Sequence, residues 1–486
     1  MKLRAFFTTS LFLSYLAFSF LPLPLAWGAA ENADRAKTAL AIQEVNRALR
    51  HSIMLTHESP DMAILEGAIR GMTWVLDKHT NYFSLQEAKD FMAMIKGGFG
   101  GIGMTFGMRN DRYTVMSVIP NNPAEKAGLL AGDRIFKING EATLKMAQND
   151  VMHKIRGQEG TSLTLTILRE SPTDQTLEIP LVRGLIKIES IKYHVIKDIG
   201  FIRINDFSET GGQEFVKAVE AVQKQGVVGL VLDLRNNPGG SLKAAVEIAG
   251  VFLKQGQPVV SVEGRNSRDD TVLTAPSSET SSSLPLVVLI NGGSASASEV
   301  VTGALQDYGR AIVMGSQSYG KASVQRTYPI TNEGDMIKIT GQHYFTPKHR
   351  LIHGVGLTPD VLEEGETVAS LMSDLSYREC FEKIAKAFLK TNPEVKEDAL
   401  EVPDFLLAQL MENGLRSGIL LDKADIEREK IWLKRYLRVE VARAAFGELA
   451  AAKQSVKEDA MVQHAMELLH VLQTLPPASA IPKSSP

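Results

Sequence analysis

The sequence predicts an α+β chain of several domains, with helical segments at both ends, a small β-rich domain and an α/β core between them. Three observations carry this. Apolar residues recur at helical spacing in residues 33–56 and 60–78, and again beyond about residue 364. From Gly97 short runs alternate apolar and polar residues between turn signals. From Gly200 compact apolar strands alternate with helical stretches, the pattern of an α/β core. At 486 residues the chain has room for about two to four domains and for cores that need no covalent staples.

The N-terminus sets the address. Lys2 and Arg4 precede an uncharged stretch, residues 5–30, that is greasiest at 11–21. Pro22 and Pro24 break a helix there, and Gly28, Ala29 and Ala30 offer a cleavage site before Glu31. This three-part layout predicts a secretory signal peptide cleaved near Ala30, and a periplasmic or otherwise exported protein. The alternative is an uncleaved N-terminal membrane anchor, since the stretch is nearly long enough to span a bilayer. Membrane contact is expected only in that case. With 53 basic against 56 acidic residues, the net charge of −3 gives no reason to expect nucleic acid as a partner. The sole cysteine, Cys380, excludes an internal disulfide and reads as a buried small hydrophobe.

In chain order, Leu40, Val45, Leu49 and Ile53 mark the 33–56 helix, and Ile64, Ala68, Ile69 and Met72 mark the next, which Pro60-Asp61 opens. Asp77-Lys78-His79-Thr80-Asn81 makes a turn in which His79 reads as a structural residue, and a helix follows at 84–95. Strands are expected at 113–119, 133–138, 162–168 and 176–182. The core should hold strands at 200–204, 228–233, 286–290 and 311–315, with helices at 212–225 and 295–305. The polar residues 276–283 read as a mobile surface loop. Residues 426–445 and 460–472 are amphipathic helices that either pack on the core or offer a partner surface, ahead of a Pro/Ser tail at 476–486.

Two motif sets stand out. The first is Gly100-Gly101-Ile102-Gly103-Met104, followed by Ile119-Pro120-Asn121-Asn122-Pro123-Ala124-Glu125-Lys126-Ala127-Gly128-Leu129-Leu130-Ala131-Gly132-Asp133-Arg134-Ile135 and Ile138-Asn139-Gly140. This string resembles a PDZ domain. The resemblance implies that Gly101, Ile102 and Gly103, running into Met104, present backbone N–H groups to a terminal carboxylate while an exposed sheet edge pairs with the peptide. A helix at 144–155 would wall the groove for an apolar last side chain, and Arg156 just after it would sense the bound peptide's charge.

The second is Asn291-Gly292-Gly293-Ser294-Ala295-Ser296-Ala297-Ser298-Glu299, joined by Gly320-Lys321-Ala322-Ser323-Val324-Gln325. A serine needs a base to attack a peptide bond, and a lysine serves as one only when burial keeps it neutral. A strand running into a helix at this serine run would put a hydroxyl near the positive helix end, where free N–H groups favour an oxyanion. Spacing alone does not choose among Ser294, Ser296 and Ser298. Both segments, with Asp233-Leu234-Arg235-Asn236-Asn237-Pro238-Gly239-Gly240, resemble the C-terminal processing peptidases, or tail-specific proteases, over about residues 35–375. The resemblance implies Ser296 as nucleophile, Lys321 as general base, Gln325 orienting the lysine, and an oxyanion hole from the N–H of Ala297 with that of Gly239 or Gly240. Strand alternation would put Lys321, Ser323 and Gln325 on one face. Ser294 and Ser298 are then turn or capping residues, and Glu299 favours the helix N-terminus.

The implied organisation is a signal peptide (1–30), an N-terminal helical segment (31–96), a PDZ domain (97–183), a Ser-Lys protease core (184–364) and a C-terminal helical region with its tail (365–486). The resemblance further implies protein substrates with free, apolar C-termini, gating by a peptide or adaptor, a homodimer, and no metal or cofactor. Two rival chemistries fail on the residues. Gly315-Ser316-Gln317-Ser318-Tyr319-Gly320-Lys321 nearly spells a phosphate loop, but Ala322 replaces the magnesium-binding hydroxyl and a strand, not a helix, should follow. A histidine triad through His343, His349 or His353 lacks a Gly-x-Ser-x-Gly elbow, and His353 reads as a surface-loop substitution. No zincin-type metal spacing occurs. A PDZ adaptor without catalysis is the remaining alternative, and the intact Ser296, Lys321 and Gln325 argue against it.

Overall fold

The computed structural model describes residues 60–474, apart from short stretches at 96–97, 120, 170–174, 188–189, 266, 279, 331–333, 366–369, 398–399 and 421, and a few residues between 40 and 47. The expected signal peptide, most of the 33–56 helix and the 476–486 tail lie outside the described residues. The chain divides into two units, residues 1–75 and 76–486. Helix α1 (Pro60–Leu76) opens at the proline, whose missing N–H costs nothing in a first turn, and runs to that boundary. The second unit begins with a turn, strand β1 (Asn81–Phe83) and helix α2 (Leu85–Ile95).

The β-rich region contains β2 (Gly98–Gly101), β3 (Met104–Arg109), β4 (Arg112–Val118), α3 (Pro123–Lys126), β5 (Arg134–Ile138), β6 (Glu141–Ala142), α4 (Gln148–Ile155), β7 (Ser162–Arg169), β8 (Gln175–Val182) and β9 (Gly184–Lys187). Its main sheet runs β3-β4-β5-β7-β8, with β6 on β5, while β2 pairs with β9. Alternate residues Leu163, Leu165 and Ile167 of β7 meet Ile135 and Ile138 of β5 in one core. Helix α4 starts four residues later than its apolar pattern suggests. Thr143 Oγ1 donates to the Ile135 carbonyl (2.6 Å) and Met146 N–H closes a turn on Thr143, so the backbone there is already satisfied outside a helix.

The core follows as β10 (Ile191–Ile196), β11 (Ile199–Ile204), α5 (Gly211–Gln223), β12 (Gly229–Asp233), α6 (Leu242–Gly250), β13 (Pro258–Gly264), β14 (Thr271–Thr274), β15 (Leu286–Ile290), α7 (Ala297–Asp307), β16 (Ile312–Gly315), β17 (Ser323–Pro329), β18 (Met336–Phe345) and β19 (Val361–Leu362). A six-stranded sheet runs β10-β11-β12-β15-β16-β19, antiparallel at β10–β11 and parallel beyond. Every residue of β12 and β15 is buried, as befits parallel strands covered on both faces. A second sheet runs β1-β18-β13-β14 with β17 also on β18, so β1 is a strand added from the N-terminal side. The described residues of 276–283 form an irregular, mostly exposed loop, as expected, but one that is tethered. Ser282 is buried, its N–H donates to Val251 (2.9 Å), its carbonyl accepts from Arg310 (2.6 Å), and Pro276 packs against Gly250.

The C-terminal region is α8 (Ser370–Tyr377), α9 (Cys380–Thr391), α10 (Asp404–Arg416), α11 (Lys423–Phe446), α12 (Glu448–Glu458) and α13 (Ala460–Thr474). Helices α8 to α12 share an apolar cluster in which Cys380 is fully buried. They also hold the β3–β4 hairpin: Arg109 donates to Ser376 (3.1 Å), Asn110 to Glu379 (3.3 Å), and Asp111 N–H to Tyr377 (3.0 Å). The choice between core packing and partner surface for α13 is decided for the core. Met461, Val462, Ala465, Met466 and Leu469 recur at helical spacing and cover Phe201, Val231, Val287 and Leu289 on the open face of the six-stranded sheet. Leu469 is fully buried there, so Leu469→Ala is expected to cost about 2–5 kcal/mol, read as a lower denaturant midpoint at unchanged slope.

Candidate active site

The serine run lies where β15 passes into α7. Two of its three hydroxyls are committed: Ser294 Oγ donates to the Leu234 carbonyl (2.7 Å) and Ser298 Oγ to the Asn237 carbonyl (3.0 Å), and both serines are fully buried. They stitch the turn to the loop after β12. Ser296 differs. It precedes the first residue of α7 with φ 55° and ψ −114°, a backbone a side chain adopts only at a cost of about 1–3 kcal/mol. Its neighbours impose that conformation. Ala295 N–H donates to the Asn237 carbonyl (2.9 Å), and Ser296 N–H donates to Glu299 Oε2 (2.9 Å). Gly239 approaches so closely that a Cβ on it would sit 2.8 Å from Ser296 Cβ and 2.9 Å from Ala297 N, and its φ of +101° also suits glycine alone.

Glu299 does more than favour a helix end. Its fully buried carboxylate accepts from Ser318 Oγ (2.5 Å) and Gly320 N–H (2.7 Å) at Oε1, and from Ser296 N–H and Lys321 N–H (2.8 Å) at Oε2. One oxygen therefore holds the backbones of Ser296 and Lys321 together. The local signal, a glutamate three residues after a serine, shows only the helix-capping half of this role. Nothing near Glu299 in sequence announces the second half.

Lys321 follows Gly320, whose φ of +83° and contact with the Val355 and Gly356 amides leave no room for a side chain. The segment after β16 leads into β17 without a helix, so the phosphate-loop alternative also fails in three dimensions. The Lys321 side chain is half-buried. Burial lowers its pKa from 10.5, and the Lys78 charge lowers it further, outweighing Tyr319 and Glu299, which act in the opposite sense. Lys78 donates to Tyr319 Oη (2.8 Å) beside it. His79 and Lys338 are also shifted down, each first by burial and then by Lys321. His79 does serve the turn, its N–H donating to Asp77 Oδ1 (2.7 Å), and its ring also feels the Lys321 charge. The pairing of Asn81 with Lys338 brings these cations together, and no local pattern foretells it.

Gln325 shares a face of β17 with Ser323, as alternation implies, whereas Lys321 precedes the strand. Strand alternation does not extend to Lys321, because β17 begins at Ser323 and its register shifts between Val324 and Gln325. The Gln325 amide donates to Ser323 Oγ (2.8 Å) and Thr340 Oγ1 (3.3 Å), and Thr340 Oγ1 donates to Asp77 (3.2 Å). Asp77 also takes the N–H groups of His79 and Thr80 and the Thr80 hydroxyl. Burial alone would raise its pKa, and these hydrogen bonds hold it below the ordinary value. Among the described residues no hydrogen bond joins Gln325 to Lys321, or Lys321 Nζ to Ser296 Oγ.

The two glycine candidates for the oxyanion hole also separate. Gly239 N–H is committed to Asn237 Oδ1 (2.8 Å). Gly240 bridges Phe207 through its neighbours alone, Phe207 N–H to Gly239 O (3.0 Å) and Ser241 N–H to Phe207 O (2.6 Å), which leaves the Gly240 N–H outside that bridge. Asn237 is the residue the sequence reading missed. It is fully buried, and its side chain and carbonyl tie this loop to Ile204, Ala295 and Ser298.

In the β-rich domain, Ile102 and Gly103 form the short link between β2 and β3, and Met104 begins β3, an edge strand of its sheet. Gly101 closes the β2–β9 ladder against Gly184 rather than standing in the link. Arg156 caps α4 through its own N–H to Met152 (2.9 Å).

Comparisons with known proteins agree with this layout. Residues 198–362 match peptidase family S41, and residues 114–169 match a PDZ domain. A carboxy-terminal-processing protease of Bartonella bacilliformis is 42% identical over 308 residues, 63% of this chain and 70% of that protein. A probable CtpA-like serine protease of Staphylococcus saprophyticus is 34% identical over 346 residues, 71% of this chain and 69% of that one. Among solved structures, a photosystem II D1 C-terminal processing protease aligns at 27% identity and TM-score 0.41, covering 67% of this chain and 92% of that one. The strained serine turn, the lysine loop bound to it and the adjoining PDZ domain thus belong to a known kind of enzyme: the chain is a serine-type peptidase of family S41, among the carboxy-terminal-processing proteases.

Proposed function

We propose that this peptidase is exported, takes hold of the free, apolar C-terminus of a protein through its PDZ domain, and cleaves peptide bonds with a Ser296–Lys321 dyad in the processing or degradation of envelope proteins. The observation that carries the dyad is the single Glu299 oxygen that accepts both the Ser296 and the Lys321 N–H. Two further facts support it. Ser294 and Ser298 have their hydroxyls occupied, and the Lys321 pKa is lowered by burial, which favours the neutral amine a base must be.

In the reaction Ser296 Oγ attacks the scissile carbonyl carbon while its proton passes to neutral Lys321 Nζ. The oxyanion is met by the N–H of Ala297, at the N-terminus of α7, and by Gly240, or by Gly239 once its bond to Asn237 opens; each donor is worth on the order of 3 kcal/mol. Lys321 then protonates the leaving amine, and water attacks the acyl-enzyme with the lysine again as base. Gln325 orients Lys321 and is itself braced through Thr340 and Asp77. On the PDZ side the free edge of β3 pairs with the substrate tail, the link at Ile102 and Gly103 receives its carboxylate, and Arg156 senses its charge. The N-terminal segment is cleaved near Ala30, and the protein acts as a homodimer under peptide or adaptor control. Among the described residues no helix is long and apolar enough to cross a membrane.

The deciding experiment incubates an unstructured protein with purified residues 31–486 and follows fragments by mass spectrometry, beside Ser296→Ala. Fragments made only by the wild type are expected. If neither protein cuts after apolar C-terminal peptides are added, the non-catalytic adaptor or partner-dependent reading moves ahead of this one.

A further inference from the structure

The loop after β12 is gripped from outside the core. Arg235 donates through Nε to Asp233 Oδ1 (2.9 Å) and through Nη2 to Asp233 Oδ2 (2.7 Å). Asp233 is fully buried and also accepts the Arg235 N–H (3.0 Å) and Arg203 Nη1 (3.1 Å). The far side of the same guanidinium donates to Asp459, Nη1 to Oδ1 at 3.2 Å and Nη2 to Oδ2 at 2.8 Å. Asp459 is the single residue between α12 and α13, and its Oδ1 also accepts the Val462 N–H (3.1 Å) at the start of α13.

A planar guanidinium clamped on two edges by two carboxylates is held in orientation as well as in position. Asp233 is shared between Arg235 and Arg203, so one carboxylate does not balance both guanidiniums. Asp459 adds the second clamp, and Asn237 lies only two residues beyond Arg235. Asn237 holds Ala295 and Ser298 through its carbonyl and Gly239 through Oδ1. We propose that Asp459 is a positioning residue for the peptidase: the C-terminal helical region, through Asp459 and Arg235, sets the loop that carries the oxyanion glycines against the nucleophile turn. The inference rests on the reading of Ser296 and this loop as the catalytic centre. Its chemical basis is that misplacing oxyanion donors by a fraction of an ångström weakens binding of the transition state more than of the substrate.

The test uses the full chain and the same unstructured substrate, with apolar C-terminal peptide present. Asp459→Asn keeps the helix cap, since asparagine caps as well as aspartate, but replaces one fork oxygen by a donor and removes the charge. A kcat lower by about tenfold is expected, with KM within about twofold, measured at a temperature where the variant is still fully folded. Asp459→Glu, which restores the charge, should recover part of the loss. Wild-type kcat in Asp459→Asn overturns the proposal, as does a loss that simply follows a lowered Tm and is not relieved by glutamate. Ser296→Ala, run in parallel, separates the two levels. Activity surviving in Ser296→Ala removes the catalytic reading itself, whereas a dead Ser296→Ala beside a fully active Asp459→Asn removes only the role of Asp459.

Discussion

Lys321→Ala is expected to lower kcat by at least about 10⁴-fold, and wild-type kcat/KM should rise with pH and level off below the ordinary lysine value of 10.5. The sign follows from the chemistry. Only the neutral amine accepts the Ser296 proton, and the neutral fraction grows as pH passes upward through the depressed pKa. Burial is the principal cause of that depression, and the neighbouring Lys78 adds to it. Lys321→Arg separates charge from proton acceptance: it keeps a cation at the site but remains protonated at any workable pH, so it should be as inactive as alanine. A pH-independent kcat/KM, or an active arginine variant, would sink the dyad. The same shift acts on folding. Between the lowered folded value and 10.5 the unfolded chain binds more protons at this group than the native one, so its contribution to stability increases with pH across that window.

Glu299→Gln is the second large effect. Every partner of this carboxylate is a donor: Ser296 N–H, Lys321 N–H, Gly320 N–H and the Ser318 hydroxyl. An amide turned with its N–H₂ in the place of Oε1 can donate to the Ser318 hydroxyl, which also accepts, and opposes only the Gly320 N–H. That donor loses its acceptor in a fully buried place, so stability should fall by about 1–3 kcal/mol. Catalysis should fall further than stability explains. The Ser296 turn and the lysine loop keep only an uncharged common acceptor and the Gly320 hinge loses its own, and displacements there cost up to about 10²-fold in kcat. Measuring kcat at a temperature where the variant is fully folded by circular dichroism isolates the second effect. Wild-type turnover there would reduce Glu299 to a folding residue.

Much of the architecture is legible in the chain because it is written locally. The fully buried strands β12 and β15 are continuous apolar runs, the β-rich domain alternates with period two, and α13 carries its apolar stripe at helical spacing. The serine run and the lysine after Gly320 are contiguous motifs, readable without any fold. The second core sheet was not legible. Its strands β13, β14 and β18 mix polar and apolar residues, and their pairing with β1 and β17 depends on chain segments far apart in sequence. Gln325 shows where a local rule stops, since alternation sets it beside Ser323 but Lys321 lies before the strand begins. The polar run 276–283 is the surface loop its composition announces, but only the structure shows that Ser282 ties it to Val251 and Arg310.

The sequence by itself determined which groups could react and in what kind of fold: a hydroxyl in a small-residue turn, a lysine after a glycine hinge, a glycine pair, and a PDZ string beside an α/β core. Period, turn chemistry and motif are properties of neighbouring residues, so they survive without coordinates. Tertiary structure alone decided which serine keeps its hydroxyl uncommitted to the loop carbonyls, that Glu299 binds the Ser296 and Lys321 backbones at one oxygen, and that Asp459 grips Arg235 across 224 residues of chain. Those facts are distances between groups remote in sequence. Such distances are set by how the layers pack, and no segment of the chain encodes them on its own.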